Sequence, residues 1–110
     1  MRHLIAVVWT LSLGLGTAQA ATVVVTQKNH AFVPSKIEIA TGDTVIFRNE
    51  DTVPHQVVSH TPAFQFDLDL ERPGEERSQV FTQSGVIVVG CDLHSTMEVI
   101  VTVAPGTAGK

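Results

Sequence analysis

The sequence is poor in the groups that usually stabilise or specialise a small protein. It has one cysteine, no tyrosine and a single tryptophan, Trp9, and its only methionine after the first residue is Met97. One cysteine excludes the internal disulfide framework on which many small exported domains depend. Basic residues are scarce: seven Lys and Arg against eleven Asp and Glu give a formal charge of −4. That balance excludes the basic face a nucleic-acid binder needs. Met- or His-rich tracts, which would point to metal handover, are missing. So are a Gly-rich phosphate loop and any local Ser-His-Asp signature, and the chain reads as no enzyme.

Long apolar runs are also lacking, with one exception at the start. Arg2 and His3 precede the uncharged run Leu4 to Leu15, and Ala18-Gln19-Ala20 follows. A charged start, a short apolar middle and an A-x-A end are the marks of a secretory signal peptide. The run is shorter than the roughly 20 apolar residues that span a bilayer. Residues 1–20 are therefore expected to be removed on export to the periplasm, leaving one domain, 21–110, with no membrane span. Without Arg2 the remaining chain carries six basic residues against eleven acidic ones, a charge of −5. Its aromatics are five Phe.

What is present is a series of short β-branched runs separated by turns. The pattern predicts strands at Thr22 to Gln27, Lys36 to Ala40, Thr44 to Asn49, His55 to Ser59, Arg77 to Phe81, Val86 to Cys91 and Glu98 to Val103. Phe64, Phe66, Leu68 and Leu70 alternate with polar residues and predict a further extended segment. Arg72-Pro73-Gly74-Glu75 has Pro and Gly where a type II turn requires them. Helical periodicity is absent, so the expected fold is all-β, a sandwich or small barrel. Strand parity puts Ile87, Val89 and Cys91 on one face, with the thiol at the strand's end and shielded from water.

The stretch GCDLHSTM, Gly90 to Met97, brings Cys91, His94 and Met97 within seven residues at a turn. Structural zinc sites take four Cys or His ligands, and thioether is not among them. Soft sulfur with imidazole suits copper, and two His, one Cys and a weak axial Met define a blue-copper electron-transfer site. A second histidine must then come from His30, His55 or His60. His55 opens a strand directly after Pro54, whereas His30 and His60 lie in polar surroundings and read as surface residues. Spacing alone does not choose among them.

With these residues in view, the chain resembles the cupredoxins of the plastocyanin and amicyanin type. The resemblance runs from about Val23 to Val103 and rests on NHAFVPSKIEIATGDTVIFRNEDTVPHQVVS, RPGE and GCDLHSTM, with a ligand loop of amicyanin's length. It implies a Greek-key β-sandwich holding one type 1 copper ion. It also implies the ligands His55, Cys91 and His94, with Met97 axial, and His94 as the electron port. The function implied is transfer of single electrons between redox protein partners, such as a c-type cytochrome or a periplasmic dehydrogenase, by a monomer. The alternative is a periplasmic copper-binding protein for trafficking or storage.

Four positions depart from the family pattern. Gly90 stands where an aromatic residue often precedes the Cys, which removes a second electron route. Gln56 replaces an Asn that ties the ligand loops together. Ser95 replaces a Pro and brings a hydroxyl near the sulfur, and Glu98 puts a negative charge where relatives often have a basic residue. Asp67, Asp69, Glu71, Glu75 and Glu76 form an acidic segment, read as a solvated edge that deters strand-to-strand aggregation rather than as a docking face.

Overall fold

The computed structural model describes residues 19–106. All but the last two residues of the expected signal peptide lie outside them, as does the end of the tail. Nine strands follow one another in the described chain: β1 (Thr22–Lys28), β2 (Ala31–Val33), β3 (Lys36–Ala40), β4 (Thr44–Asn49), β5 (His55–Ser59), β6 (Phe66–Glu71), β7 (Glu76–Val80), β8 (Gly85–Cys91) and β9 (His94–Ala104). They form a four-stranded sheet, β2-β1-β4-β7, and a five-stranded sheet, β3-β9-β8-β5-β6. The chain crosses between the sheets repeatedly, so each contains a parallel pair, β1 with β4 and β3 with β9. This is the β-sandwich that the resemblance implies, one of the two architectures the strand pattern allows. Among the described residues no helix is long and apolar enough to cross a membrane.

Alternation drives the packing. In β4, Val45, Phe47 and Asn49 point inward, and in β8, Ile87, Val89 and Cys91 do so, as parity predicts. Val25, Val45 and Phe47 of one sheet meet Val57, Ile87, Val89, Val99 and Val101 of the other, all fully buried. Each such side chain contributes about 1.5–3 kcal/mol by leaving water. Phe64, Phe66 and Phe81 pack with centroids 5.3–5.7 Å apart at one side of this core.

The structure corrects the sequence reading at four places. β2 is a short strand that the pattern does not reveal, held by pairing with β1. β6 begins at Phe66, because Phe64 lies in a turn where its N–H donates to Thr61. β9 begins at His94 rather than Glu98. Glu71 belongs to no exposed acidic face, since its side chain is fully buried. The Pro73-Gly74 turn forms as expected: Gly74 has φ 88°, and Glu75 N–H donates to Arg72 C=O at 3.0 Å. β6 and β7 are edge strands, one in each sheet, so the acidic residues exposed on them line sheet edges.

Candidate metal centre

Three neighbouring strands, β9, β8 and β5, and the tight connection between β8 and β9 assemble the centre. Val57 pairs with Cys91 across β5 and β8, so His55, two residues back on the same inward face, lies beside the thiol. Asp92-Leu93 then turns the chain, and His94 pairs with Cys91. The next registered pair is Gly90 with Glu98. Ser95, Thr96 and Met97 are therefore extra residues on β9, an outward bow that gives the ligand loop its shape. Met97 returns to the interior and is buried in the same cluster as Cys91.

Three donor atoms converge at this end of the sandwich. His55 Nδ1 lies 3.2 Å from His94 Nδ1 and 3.7 Å from Cys91 Sγ, and Cys91 Sγ lies 3.6 Å from His94 Nδ1. Ligands held at roughly 2.0–2.3 Å from one ion, about 100–120° apart, have separations of this size. His55 is fully buried, Cys91 and Met97 nearly so, and His94 is half-buried. Of these four described residues, His94 is the most exposed.

The tautomer of His55 follows from its neighbour. Its Nε2 lies 2.8 Å from Asp51 Oδ2, and a carboxylate can only accept, so Nε2 donates. In the neutral ring Nδ1 then carries a lone pair facing His94 Nδ1 and Cys91 Sγ, free to accept a proton from either or to bind a cation. Burial pushes the Asp51 carboxyl up. The N–H of His30, the His55 ring and the N–H of Asn29 more than reverse that, bringing it to about 2. Burial lowers His94, helped by the nearby His30 and His55 rings, so it favours the neutral, metal-binding form.

Backbone hydrogen bonds tie the two ligand segments together. Gln56 N–H donates to Cys91 Sγ at 3.3 Å, and Asp92 N–H donates to Gln56 C=O at 3.0 Å. The Gln56 side chain turns away and donates to both oxygens of Asp67. The main chain thus does the tying that the replaced Asn side chain would do. Apart from the histidine rings, Gln56 N–H is the sulfur's one hydrogen-bond partner among the described residues, and the Ser95 hydroxyl does not reach it. A Cβ on Gly90 would sit 3.3 Å from the Met97 carbonyl oxygen, so the bowed loop favours glycine here. Gly90, Val58, Val88 and Glu98 line an open groove of about 330 Å³ beside Cys91 and Met97.

Beneath the centre lies a polar layer. Asn49 is fully buried and donates to the carbonyls of Val53 and Glu71, while its Oδ1 accepts from Asp51 N–H. Gln27 donates to Glu71 at 2.7 Å, leaving Gln27 Oε1 and Glu71 Oε2 without partners. Burial pushes the Glu71 carboxyl up, against the lowering effect of Gln27.

Of the sequence-predicted residues, His55, Cys91 and His94 come together, and Met97 is buried in the same core cluster as Cys91. His60 lies apart, exposed and 3.1 Å from Asp92. His30 is a different case. It is exposed, as expected, yet its ring stands edge-on to His94 with centroids 4.6 Å apart. Asp51 was not singled out by its sequence context. The only local sign of either residue is a carboxylate four positions before His55 and an Asn-His pair in a turn.

The family model described as "Cupredoxin-like domain" matches residues 2–103. Chloroplastic plastocyanin of Fritillaria agrestis is 33% identical over 91 residues, covering 73% of this chain and 50% of that protein. This chain thus spans about half the length of that curated relative. A reduced variant of amicyanin superposes with a TM-score of 0.70 at 21% identity, covering 78% of this chain and 85% of the other. The Cu-containing nitrite reductase of Thermus scotoductus SA-01 gives a TM-score of 0.69 at 28% identity, covering 82% of this chain but 24% of that one.

Proposed function

The chain belongs to the cupredoxin-like family, its cofactor is copper, and on that footing we propose that it is an exported one-electron carrier. His55, Cys91 and His94 would hold the ion, with Met97 as a fourth, weaker donor. The observation that carries this reading is the convergence of two imidazole nitrogens and one thiol sulfur, 3.2–3.7 Å apart, in a buried sandwich end. When bound, copper supplies a one-electron couple between Cu(I) and Cu(II).

The protein's own residues do the rest. Cys91 and Met97 offer soft sulfur and the histidines offer borderline nitrogen, a mixture that suits both oxidation states. Three hydrogen-bonded strands, β5, β8 and β9, hold the donors, which limits rearrangement when an electron arrives or leaves. Burial of His55, Cys91 and Met97 keeps water from the sulfur and lowers the local dielectric. His94, half-buried, is the ring through which a partner would exchange electrons. The partner is a redox protein such as a c-type cytochrome or a periplasmic dehydrogenase, met after residues 1–20 are removed on export.

The test is a visible spectrum of residues 21–110 after one equivalent of Cu(II). An intense blue thiolate-to-copper band is expected, bleached by ascorbate and lost in Cys91→Ser. Tight binding without that band would instead favour copper trafficking or storage.

A further inference from the structure

The two left-handed residues beside the centre, Asn29 (φ 52°) and His30 (φ 57°), are neither glycine nor part of the ligand set. Such a conformation is uncommon for a residue with a side chain, and two in succession need something to hold them. What holds them is one carboxylate. Asn29 N–H donates to Asp51 Oδ1 and His30 N–H to Asp51 Oδ2, both at 2.9 Å. Successive N–H groups in such a turn form a concavity that binds an anion. The same Oδ2 accepts from His55 Nε2 at 2.8 Å.

We propose that Asp51 is a positioning residue for the copper site and acts on both of its histidines. It acts on His55 directly, by fixing the ring orientation and the Nε2–H tautomer. It acts on His94 through the Asn29–His30 turn, which sets the His30 ring edge-on against the His94 ring at 4.6 Å. His30 also meets His55 edge-on at 6.0 Å, so the three rings form one packed group. Asp51 is itself held, because its side chain is 8% exposed and its N–H donates to the buried Asn49. The bracket therefore runs from the polar layer of the core to the exposed ring over His94. It keeps the most exposed of the four candidate ligands in place without burying it.

This inference rests on the copper-carrier reading for its purpose, but its geometry can be tested without metal. In copper-free protein, long-range ¹H–¹⁵N spectra should show His55 as the Nε2–H tautomer with a slowly exchanging ring proton. The Nδ1–H tautomer would overturn the proposal. Asp51→Asn puts an amide N–H₂ where an acceptor is needed. It should remove that slow proton, raise the reduction potential by withdrawing negative charge from the His55 ring, and weaken copper binding about 10- to 100-fold. Retained exchange protection, with affinity within about twofold, would sink the idea. Should Asp51→Asn fail to fold, Asp51→Glu keeps the charge while shifting the oxygens, and the same readings decide. His30→Ala should leave the His55 tautomer intact while speeding exchange and motion of the His94 ring. An unchanged His94 ring in that variant would overturn the indirect arm. Failure of wild-type protein to bind copper at all would strike the carrier reading and leave the tautomer result standing by itself.

Discussion

Strand β4 has an aspartate at each end, and the two do similar work with different consequences. Asp43 precedes the strand and Asp51 follows it, with the six-residue strand, about 20 Å long, between them. Each takes a backbone N–H from a residue 22 positions earlier, Ala21 for Asp43 and Asn29 for Asp51, because β1 runs parallel to β4 in one register. Each takes a second backbone N–H as well, from Ala40 and His30 respectively. Both carboxyls lie below their ordinary value. For Asp43 the main cause is the N–H of Ala21, then that of Ala40, against burial. The difference is one donor: Asp51 adds the Nε2–H of His55. Asp43 closes a sheet, whereas Asp51 closes a sheet and aims a ligand. A structural clamp becomes part of a metal centre when one of its donors is a side chain that has a second nitrogen to offer.

The largest effect should separate the two ends by metal affinity. Asp51→Asn is expected to weaken copper binding about 10- to 100-fold in a competition titration, whereas Asp43→Asn should leave it within about twofold. Equal losses would mean that both act through general stability, and the contrast would collapse.

A second measurement runs the other way. Asp43→Ala leaves the N–H groups of Ala21 and Ala40 without their charged acceptor, so copper-free protein should lose about 1–3 kcal/mol in denaturant unfolding. The visible band of the loaded variant should keep its shape, because nothing at that end of β4 reaches the ligands.

Acid should expose the same clamp. The folded pKa of Asp43 is lowered from 3.8, so its contribution is present above that value and is lost as pH falls below it through the folded pKa. Copper-free Asp43→Asn should therefore show a shallower fall in stability below pH 3.8 than wild type. Equal slopes in the two proteins would remove Asp43 from the account of acid unfolding.

The smallest expected effect concerns Glu71, a buried carboxyl whose charge Gln27 and Arg77 offset only in part. Its pKa is raised from 4.5, chiefly by burial. Stability from this group is therefore full below 4.5 and is lost as pH rises through the folded value. Glu71→Gln supplies an N–H for the orphaned Gln27 Oε1 and removes the buried charge. It should raise the unfolding free energy near neutral pH by roughly 1 kcal/mol and flatten the decline above pH 4.5. A loss of stability there would show that Gln27 and Arg77 hold the charge well enough to offset its burial.

Much of the molecule can be read from its residues because much of it is periodic. The inward set Ile87, Val89 and Cys91 follows from alternation alone. The Pro73-Gly74 turn follows from the dihedral demands of its two central residues. Cys91, His94 and Met97 are close in the chain, so their chemistry shows in one short stretch. β2 escapes because three residues carry no usable period, and only pairing with β1 holds them extended. His30 reads as a surface residue because it is one. Its role comes from what it touches, and no local pattern reports that.

The sequence by itself determined the all-β fold, the soft donor set and the copper it calls for, since these depend on residue type and short-range spacing. Local spacing left His30, His55 and His60 open and the family resemblance pointed to His55, but only the tertiary structure, by laying β5 beside β8, brings His55 to the thiol. It also decided that the parallel register of β1 and β4 sets Asn29 and His30 over Asp51. The reason is physical. A ligand's identity is a property of one residue, but its orientation and tautomer are set by hydrogen bonds between segments that meet only when the two sheets close.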